Sequence, residues 1–314
     1  MEFGTPQFWA VWLSPVVLGV LGLLVGSFLN VVIYRLPQML LRGWWKYNAE
    51  NLDNAEEWKL ATGAERPAMY ANIGQDIYDA IEKQPKLNLV SPRSRCGACG
   101  HKIRWYENIP VLSWLALRRR CSACGTAISI RYPLIEVATA LLFAGAAWRF
   151  GPNPITLAWC AMFATLLAAA VIDLDTKYLP DALVQPLLWS GLIVATLGYG
   201  IPWQSALWGA VAGYMSLWTI SKLYELARDT PGMGDGDFRL LAALCAWLGW
   251  QALLPIVLMA SIVGLVVHLP LRMLGGTEHG QRLPFGPFLA GGGVAVAFIG
   301  VDEVMGWLGV SFPG

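Results

Sequence analysis

Charged side chains are scarce in this sequence. They make up 14% of its 314 residues while 56% are hydrophobic, against about 25% charged in an average soluble domain. That shortage excludes an ordinary water-soluble globule, which has far more polar surface to cover. The net charge of +1 says little about partners, because the charges are unevenly placed; no nucleic-acid partner is expected. Other things are missing too. The first apolar run has no convincing cleavage site and a weakly basic start, so it reads as a retained helix rather than a removed signal. No inverted repeat is visible, which argues against a secondary transporter. A nucleotide loop is disfavoured, because "GMGDGDF" (232–238) carries Asp237 where G-x-G-x-x-G needs its last glycine, and no strand precedes it.

What is present is a series of apolar runs, each close to the roughly 20 residues that cross a bilayer as a helix. Eight are expected, over about 12–34, 134–150, 155–173, 182–200, 203–224, 238–250, 252–274 and 286–308, the sixth short enough to be tilted or re-entrant. The fold class read from this is an all-α polytopic membrane protein. Three parts follow: a first helix over 1–34, a polar domain over 35–133, and a seven-helix membrane core over 134–314. Of the 22 basic residues, 15 lie between Arg35 and Arg131. With eight spans, Lys177, Lys222, Arg228, Arg239, Arg272 and Arg282 fall on the same side as that domain and Arg149 opposite. The excess of Lys and Arg marks that side as cytosolic. The 16 Trp cluster near run ends, where they anchor at the lipid interface.

The polar domain holds "CGAC" at 96–99 and "CSAC" at 121–124, two C-x2-C pairs separated by 21 residues. Cys96, Cys99, Cys121 and Cys124 can close a tetrahedral four-thiolate zinc site with no open position, hence structural rather than catalytic. Two disulfides are the alternative, disfavoured in a reducing cytosol. Cys160 and Cys245 sit alone in apolar runs and read as small core residues. Residues 48–90 carry no motif.

Acids inside apolar runs are costly and mark function by default. "VIDLDTKYLPD" (171–181) puts Asp173 at the end of the third run, and "GMGDGDF" puts Asp237 at the mouth of the sixth. Segments 64 residues apart thus bring carboxylates to one membrane face. Helical residues two apart point about 200° away from each other, so Asp173 is preferred to Asp175, and Asp237 to the more distal Asp235. Two close carboxyls do not both ionise easily and share one proton. The charged member then draws a proton from water while the neutral one donates to a peptide carbonyl, which is aspartic-protease chemistry. Solvated acids paired with Lys177 and Arg239 are the bland reading. Gly234 and Gly236, with Gly232, offer backbone conformations barred to other residues and room for an extended peptide. Glu136 is an acid near the start of the second run, either contacting a substrate or pairing with Arg131. His268 reads as hydrogen-bonded core. "RLPFGPF" (282–288) opens the last run, either as a helix start or as a lining of the substrate entry.

Taken in order, "GSFLNVVIYRLP" (26–37), the two C-x2-C pairs, "NIPVLSWL" (108–115), "RYPLIE" (131–136), the Asp173-to-"LPD" spacing, "GDFRLLAAL" (236–244) and "LPFGPFLA" (283–290) resemble the type IV prepilin peptidases. These are GxGD intramembrane aspartic proteases, and the likeness covers nearly the whole chain. It implies a bacterial inner-membrane endopeptidase that cuts prepilins or pseudopilins at the cytosolic face, after the glycine ending a short basic leader. It also implies N-methylation of the new N-terminus with S-adenosylmethionine, without assigning residues to that step. The family's two catalytic aspartates fall on Asp173 and Asp237. The chain departs from the family at Asp235, usually apolar or aromatic, where a third acid would perturb the pair, and at Arg239, usually Lys.

Overall fold

The computed structural model describes residues 6–70, 72–230, 232–273, 284–307 and 309. Its helices, in order, are α1 (Pro6–Trp12), α2 (Pro15–Asp53), α3 (Ala55–Thr62), α4 (Ile73–Glu82), α5 (Leu112–Ala116), α6 (Arg131–Phe150) and α7 (Ile155–Thr176). They continue with α8 (Asp181–Thr196), α9 (Trp203–Arg228), α10 (Asp235–Leu248), α11 (Leu253–Met273), α12 (Gly286–Ile299) and α13 (Val301–Trp307). Among the described residues the only β pairing is two isolated bridges. The chain is an all-α, multi-pass membrane protein, and it divides into two compact units, residues 1–26 with 133–314, and residues 27–132.

Eight spans are expected, and length and composition alone pick out fewer of them. Among the described residues four helices are long and apolar enough to cross a bilayer alone: α2, α6, α7 and a helix over Trp250–Pro270. A fifth is possible if α12 and α13, bent by 101°, act as one. The shortfall is physical. With 16 and 14 residues, α8 and α10 rise only about 24 and 21 Å against a hydrocarbon core of about 30 Å. The first helix departs the other way. Its 39 residues make it about 58 Å long, so the apolar run ending near residue 34 is one part of a longer rod whose later turns are polar.

In the membrane unit α10 is the central element. Its residues from Leu240 to Leu248 are all buried, so its length need not match a lipid bilayer. It lies against α9 by way of two glycines four residues apart. A Cβ on Gly209 would stand 2.5 Å from the Cys245 carbonyl oxygen, and one on Gly213 2.9 Å from that of Leu241. Small residues at this spacing let two membrane helices approach closely. On another side, Gly191 of α8 faces the Trp247 ring, whose Nε1 donates to the Leu187 carbonyl at 2.8 Å. Trp247 also meets Trp159 of α7 at 5.2 Å between ring centroids. Trp159 lies near the start of α7 and Trp247 near the end of α10, so these two helices run antiparallel. A similar glycine approach joins α2 to α6, where Gly22 and Gly26 abut Ala140 and Glu136.

The polar unit is more ordered over 48–90 than its lack of motif suggests. Asn54 accepts from the Glu56 and Glu57 amides and caps α3. The Asp53 carboxylate accepts from the Gly74 amide at the head of α4 and pairs with Arg66 at 3.3 Å. A side chain at Gly74 would collide with the Ala49 carbonyl, so α4 lies directly on α2. Lys46 and Glu82 form a further ion pair between these helices. The buried Arg35 guanidinium donates to the carbonyls of Asn88 and Pro92, fixing the segment that leads to the cysteines.

Candidate active site and metal centre

Asp173 lies in the last turn of α7 and Asp237 in the first turn of α10. The antiparallel course of these helices, set by Trp159 and Trp247 at the other end, puts both acids at the same end of the bundle. Both are buried, at 4% and 8% exposure, whereas Asp175, Asp181 and Asp235 are exposed. The two buried carboxyls are close enough to act on each other electrostatically. One oxygen of each, Asp173 Oδ2 and Asp237 Oδ1, is buried with no hydrogen-bond partner. Burying an unsatisfied carboxyl oxygen is costly unless a ligand or a shared proton compensates.

The nearby cation is otherwise engaged. Arg239 pairs with Asp181, joining the starts of α10 and α8. Asp235 lies in the electrostatic reach of Lys222 and Arg239, and the acid acting on Asp237 is Asp173 rather than Asp235.

Of the two uses expected of the glycines, unusual backbone conformations and room, their conformations leave the second. None of Gly232, Gly234 and Gly236 has a positive φ, and Gly234 is extended backbone open to any residue, with φ −77° and ψ 143°. Their value is space. A Cβ on Gly236 would stand 2.7 Å from the Leu179 Cβ, whereas one on Gly234 would meet only Asp237 Oδ2 at 3.9 Å, so the ground beside that carboxyl stays open.

Two residues near the pair were not singled out from sequence. Leu179, buried in the "YLPD" turn, touches both Gly236 and Gly286. Gly286 opens α12 with its backbone N–H directed at the Asp173 carboxyl. A Cβ there would stand 2.6 Å from Asp173 Oδ2 and 2.9 Å from Leu179 Cδ1. "LPFGPF" held the signal, a glycine followed by proline at a helix start, but nothing in the sequence said which carboxyl it would face. Its preceding Arg282 and Leu283 fall outside the described residues. Glu136 is buried on α6 beside Gly26 of α2. His268 is not the hydrogen-bonded core residue expected, since its Nδ1 is buried without a partner. Cys160 and Cys245 are buried and free.

In the polar unit the four Sγ atoms of Cys96, Cys99, Cys121 and Cys124 all lie within 4.8 Å of one another, and Cys96 and Cys124 are 3.8 Å apart. A zinc tetrahedron with bonds of about 2.3 Å has edges of about 3.8 Å, so the set fits a metal ion of that kind. The two knuckles are copies. Cys96 and Cys121 each accept, through their carbonyls, from the amides of Gly100 and Gly125, and their own amides donate to His101 and Thr126 at 2.9 Å. Gly100 and Gly125 both have φ of +72°, a left-handed turn that favours glycine. The repeated C-x2-C-G was thus a stronger signal than C-x2-C alone. Thiol chemistry agrees with the shape. Hydrogen bonds from the Thr126 side chain and amide bring the Cys124 thiol down to about 6. The His101 amide pulls Cys99 down, but the neighbouring thiols outweigh it and push that group up to about 11, a repulsion a dication would relieve. Glu107 ties the knuckles together, accepting from the Arg104 amide, Ser122 Oγ and His101 Nε2. Those bonds, the Arg104 amide first, hold its carboxyl down at about 2.

With this geometry in place, similarity to known proteins decides the family. Residues 20–150 match the model of the Bacterial Peptidase A24 N-terminal domain, and residues 160–269 that of the Type IV leader peptidase family. This chain belongs to the type IV leader peptidase family. Relatives named prepilin leader peptidase/N-methyltransferase include one from Burkholderia pseudomallei (strain 1026b), 47% identical over 90% of this chain and 84% of its own length. A Pseudomonas putida relative is 45% identical over 91% of this chain and 90% of its own, and one from Neisseria gonorrhoeae is 42% identical over 93% and 92%. No solved structure matches the chain.

Proposed function

We propose that this leader peptidase removes the short basic leader of type IV prepilins or pseudopilins after glycine, with Asp173 and Asp237 as its catalytic pair. The observation that carries the reading is the pair itself: two buried carboxyls at one end of antiparallel helices, acting on each other, each with an oxygen lacking a partner. Such a pair holds one proton between them. The ionised member takes a proton from a water placed between the two, and the neutral member donates to the scissile carbonyl. With Arg239 occupied by Asp181, the proton stays with the pair instead of being displaced by a cation. The open ground at Gly234 leaves room for a peptide backbone beside Asp237, while the bare Gly236 lets Leu179 pack against the start of α10.

The second activity is N-methylation of the new terminus, for which the relatives' shared name is the support. S-adenosylmethionine supplies an electrophilic methyl group when bound. Among the described residues no glycine-rich strand-to-helix turn exists to seat a nucleoside, so no residue is assigned to the donor. The ion proposed for the four cysteines is zinc, and its role is to fold the knuckle segment. The bilayer is read as the bacterial inner membrane, with cysteines and aspartates on the cytosolic side. The six basic residues of the short loops support that orientation.

Incubating the purified protein with a prepilin and S-adenosylmethionine tests the whole reading through the product mass. Loss of the leader and gain of one methyl are separate shifts in that spectrum. An uncleaved substrate beside folded enzyme would refute it.

A further inference from the structure

The polar unit is electrically divided. Residues 35–92 carry seven basic and eight acidic side chains, whereas residues 93–131 carry eight basic ones and Glu107 as the single acid. A four-thiolate zinc centre, doubly negative, would still leave the knuckle lobe strongly positive. The same lobe exposes large apolar side chains that its own core does not cover. Trp105 is 82% exposed, Leu112 65%, and Leu115 and Ile130 58% each.

These groups are held in one lobe. The turn Trp105–Asn108 packs against α5, on which Leu112 and Leu115 are three residues apart and share a face. Trp114 Nε1 donates to the Ile128 carbonyl at 3.2 Å, and the Ile128 amide donates to the Arg119 carbonyl at 2.7 Å. Arg118, Arg119 and Arg120 follow α5 directly and are all exposed. Arg118 and Arg119 adopt φ of +50° and +63°, a turn that ordinary side chains rarely take, and the Arg119 guanidinium lies over the Trp114 ring, 5.8 Å from its centroid.

We propose that this lobe, with Trp105, Leu112, Leu115 and Ile130 as its exposed apolar groups and Arg118 to Arg120 as its charge, rests on the anionic lipid headgroups of the bilayer. Aromatic and aliphatic side chains interleaved with arginine are the composition of interfacial segments, the rings entering the headgroup layer and the guanidinium groups binding phosphate. Connectivity favours lipid over a soluble partner, because Ile130 is followed at Arg131 by α6, one of the membrane-crossing helices. The basic leader proposed for the substrate is the wrong sign for this lobe. The contact does not depend on the catalytic reading.

The test uses the full-length protein with a benzoyl-phenylalanine photo-crosslinker at Trp105, reconstituted in phosphatidylcholine with or without phosphatidylglycerol. A second preparation carries the crosslinker at Leu60, which is 89% exposed in the neutral part of the unit. Mass spectrometry should find phosphatidylglycerol adducts at position 105 and not at 60. Replacing Arg118, Arg119 and Arg120 together by Ser should lower the yield about tenfold, with metal content unchanged. If that variant loses its metal, a salt titration of the otherwise unaltered protein serves instead, and the yield should fall as salt rises. Equal lipid adducts at both positions, a yield indifferent to lipid charge, arginine or salt, or crosslinking at 105 to added prepilin instead of lipid would each overturn the proposal.

Discussion

Adding one methyl group at Gly286 tests whether the start of α12 positions the catalytic pair. The Cβ of Gly286→Ala would lie 2.6 Å from Asp173 Oδ2, 2.9 Å from Leu179 Cδ1 and 3.3 Å from Asp173 Cγ. Comfortable contacts between carbon atoms are about 3.5–4.0 Å, so the carboxyl or the helix start must move by about an ångström. Misplacing a reacting group by that distance costs about 100-fold in rate, while overpacking costs about 1–3 kcal/mol of stability. Gly291 is the internal control. It lies on the same helix, and a Cβ there would meet nothing within 4 Å. Steady-state cleavage of a prepilin by both variants, with thermal unfolding followed in parallel, separates the effects. Gly286→Ala should lose about 100-fold in kcat with KM little changed. Gly291→Ala should keep the full rate and gain up to about 1 kcal/mol, as alanine does over glycine in a helix. A folded Gly286→Ala enzyme with unchanged kcat would refute the reasoning, as would an equal loss in Gly291→Ala.

Further outcomes follow from the same contacts. The protein should carry one zinc per chain, and Cys96→Ser combined with Cys121→Ser should lose it together with much of the expressed yield; metal analysis that finds zinc retained would refute the four-thiolate site. Gly209→Leu should drive α9 off the Cys245 carbonyl and cost about 3 kcal/mol or more, read as a lowered Tm with loss of cleavage. Asp181→Asn breaks a half-exposed ion pair with Arg239, a contact worth about 0–1 kcal/mol, so thermal unfolding should show a stability loss no larger than that.

What the sequence made legible was whatever chemistry is written in local spacing. The two C-x2-C pairs spelled out the cluster because each knuckle is a self-contained turn. Asp173 and Asp237 stood out as ionisable groups bordering long apolar runs, and their exposed neighbours Asp175 and Asp235 were separable by helix periodicity. What it hid was whatever depends on close approach between distant segments. Leu179 is an ordinary leucine until Gly236 and Gly286 close on it, and the side chain that fills the space at Gly236 cannot be read from its spacing. The number of spans is hard to read for a related reason. A short helix such as α10, shielded by α8, α9 and α12, does not have to satisfy lipid, so its length carries no direct record of the bilayer. Over 48–90 the helices rest on an Asn cap, an Asp53 bridge and a glycine contact, none of which leaves a periodic apolar pattern.

The account stands on two side chains acting as one unit, and single and double replacement measures that directly. Cleavage rates of Asp173→Asn, Asp237→Asn and the double variant should be compared in protein shown to be inserted, folded and metal-loaded. Each single change should lower the rate by about 10⁴-fold or more, and the double change should cost no more than either alone, as for groups that share one task. Substantial turnover by either single variant, or losses that multiply in the double, would contradict it.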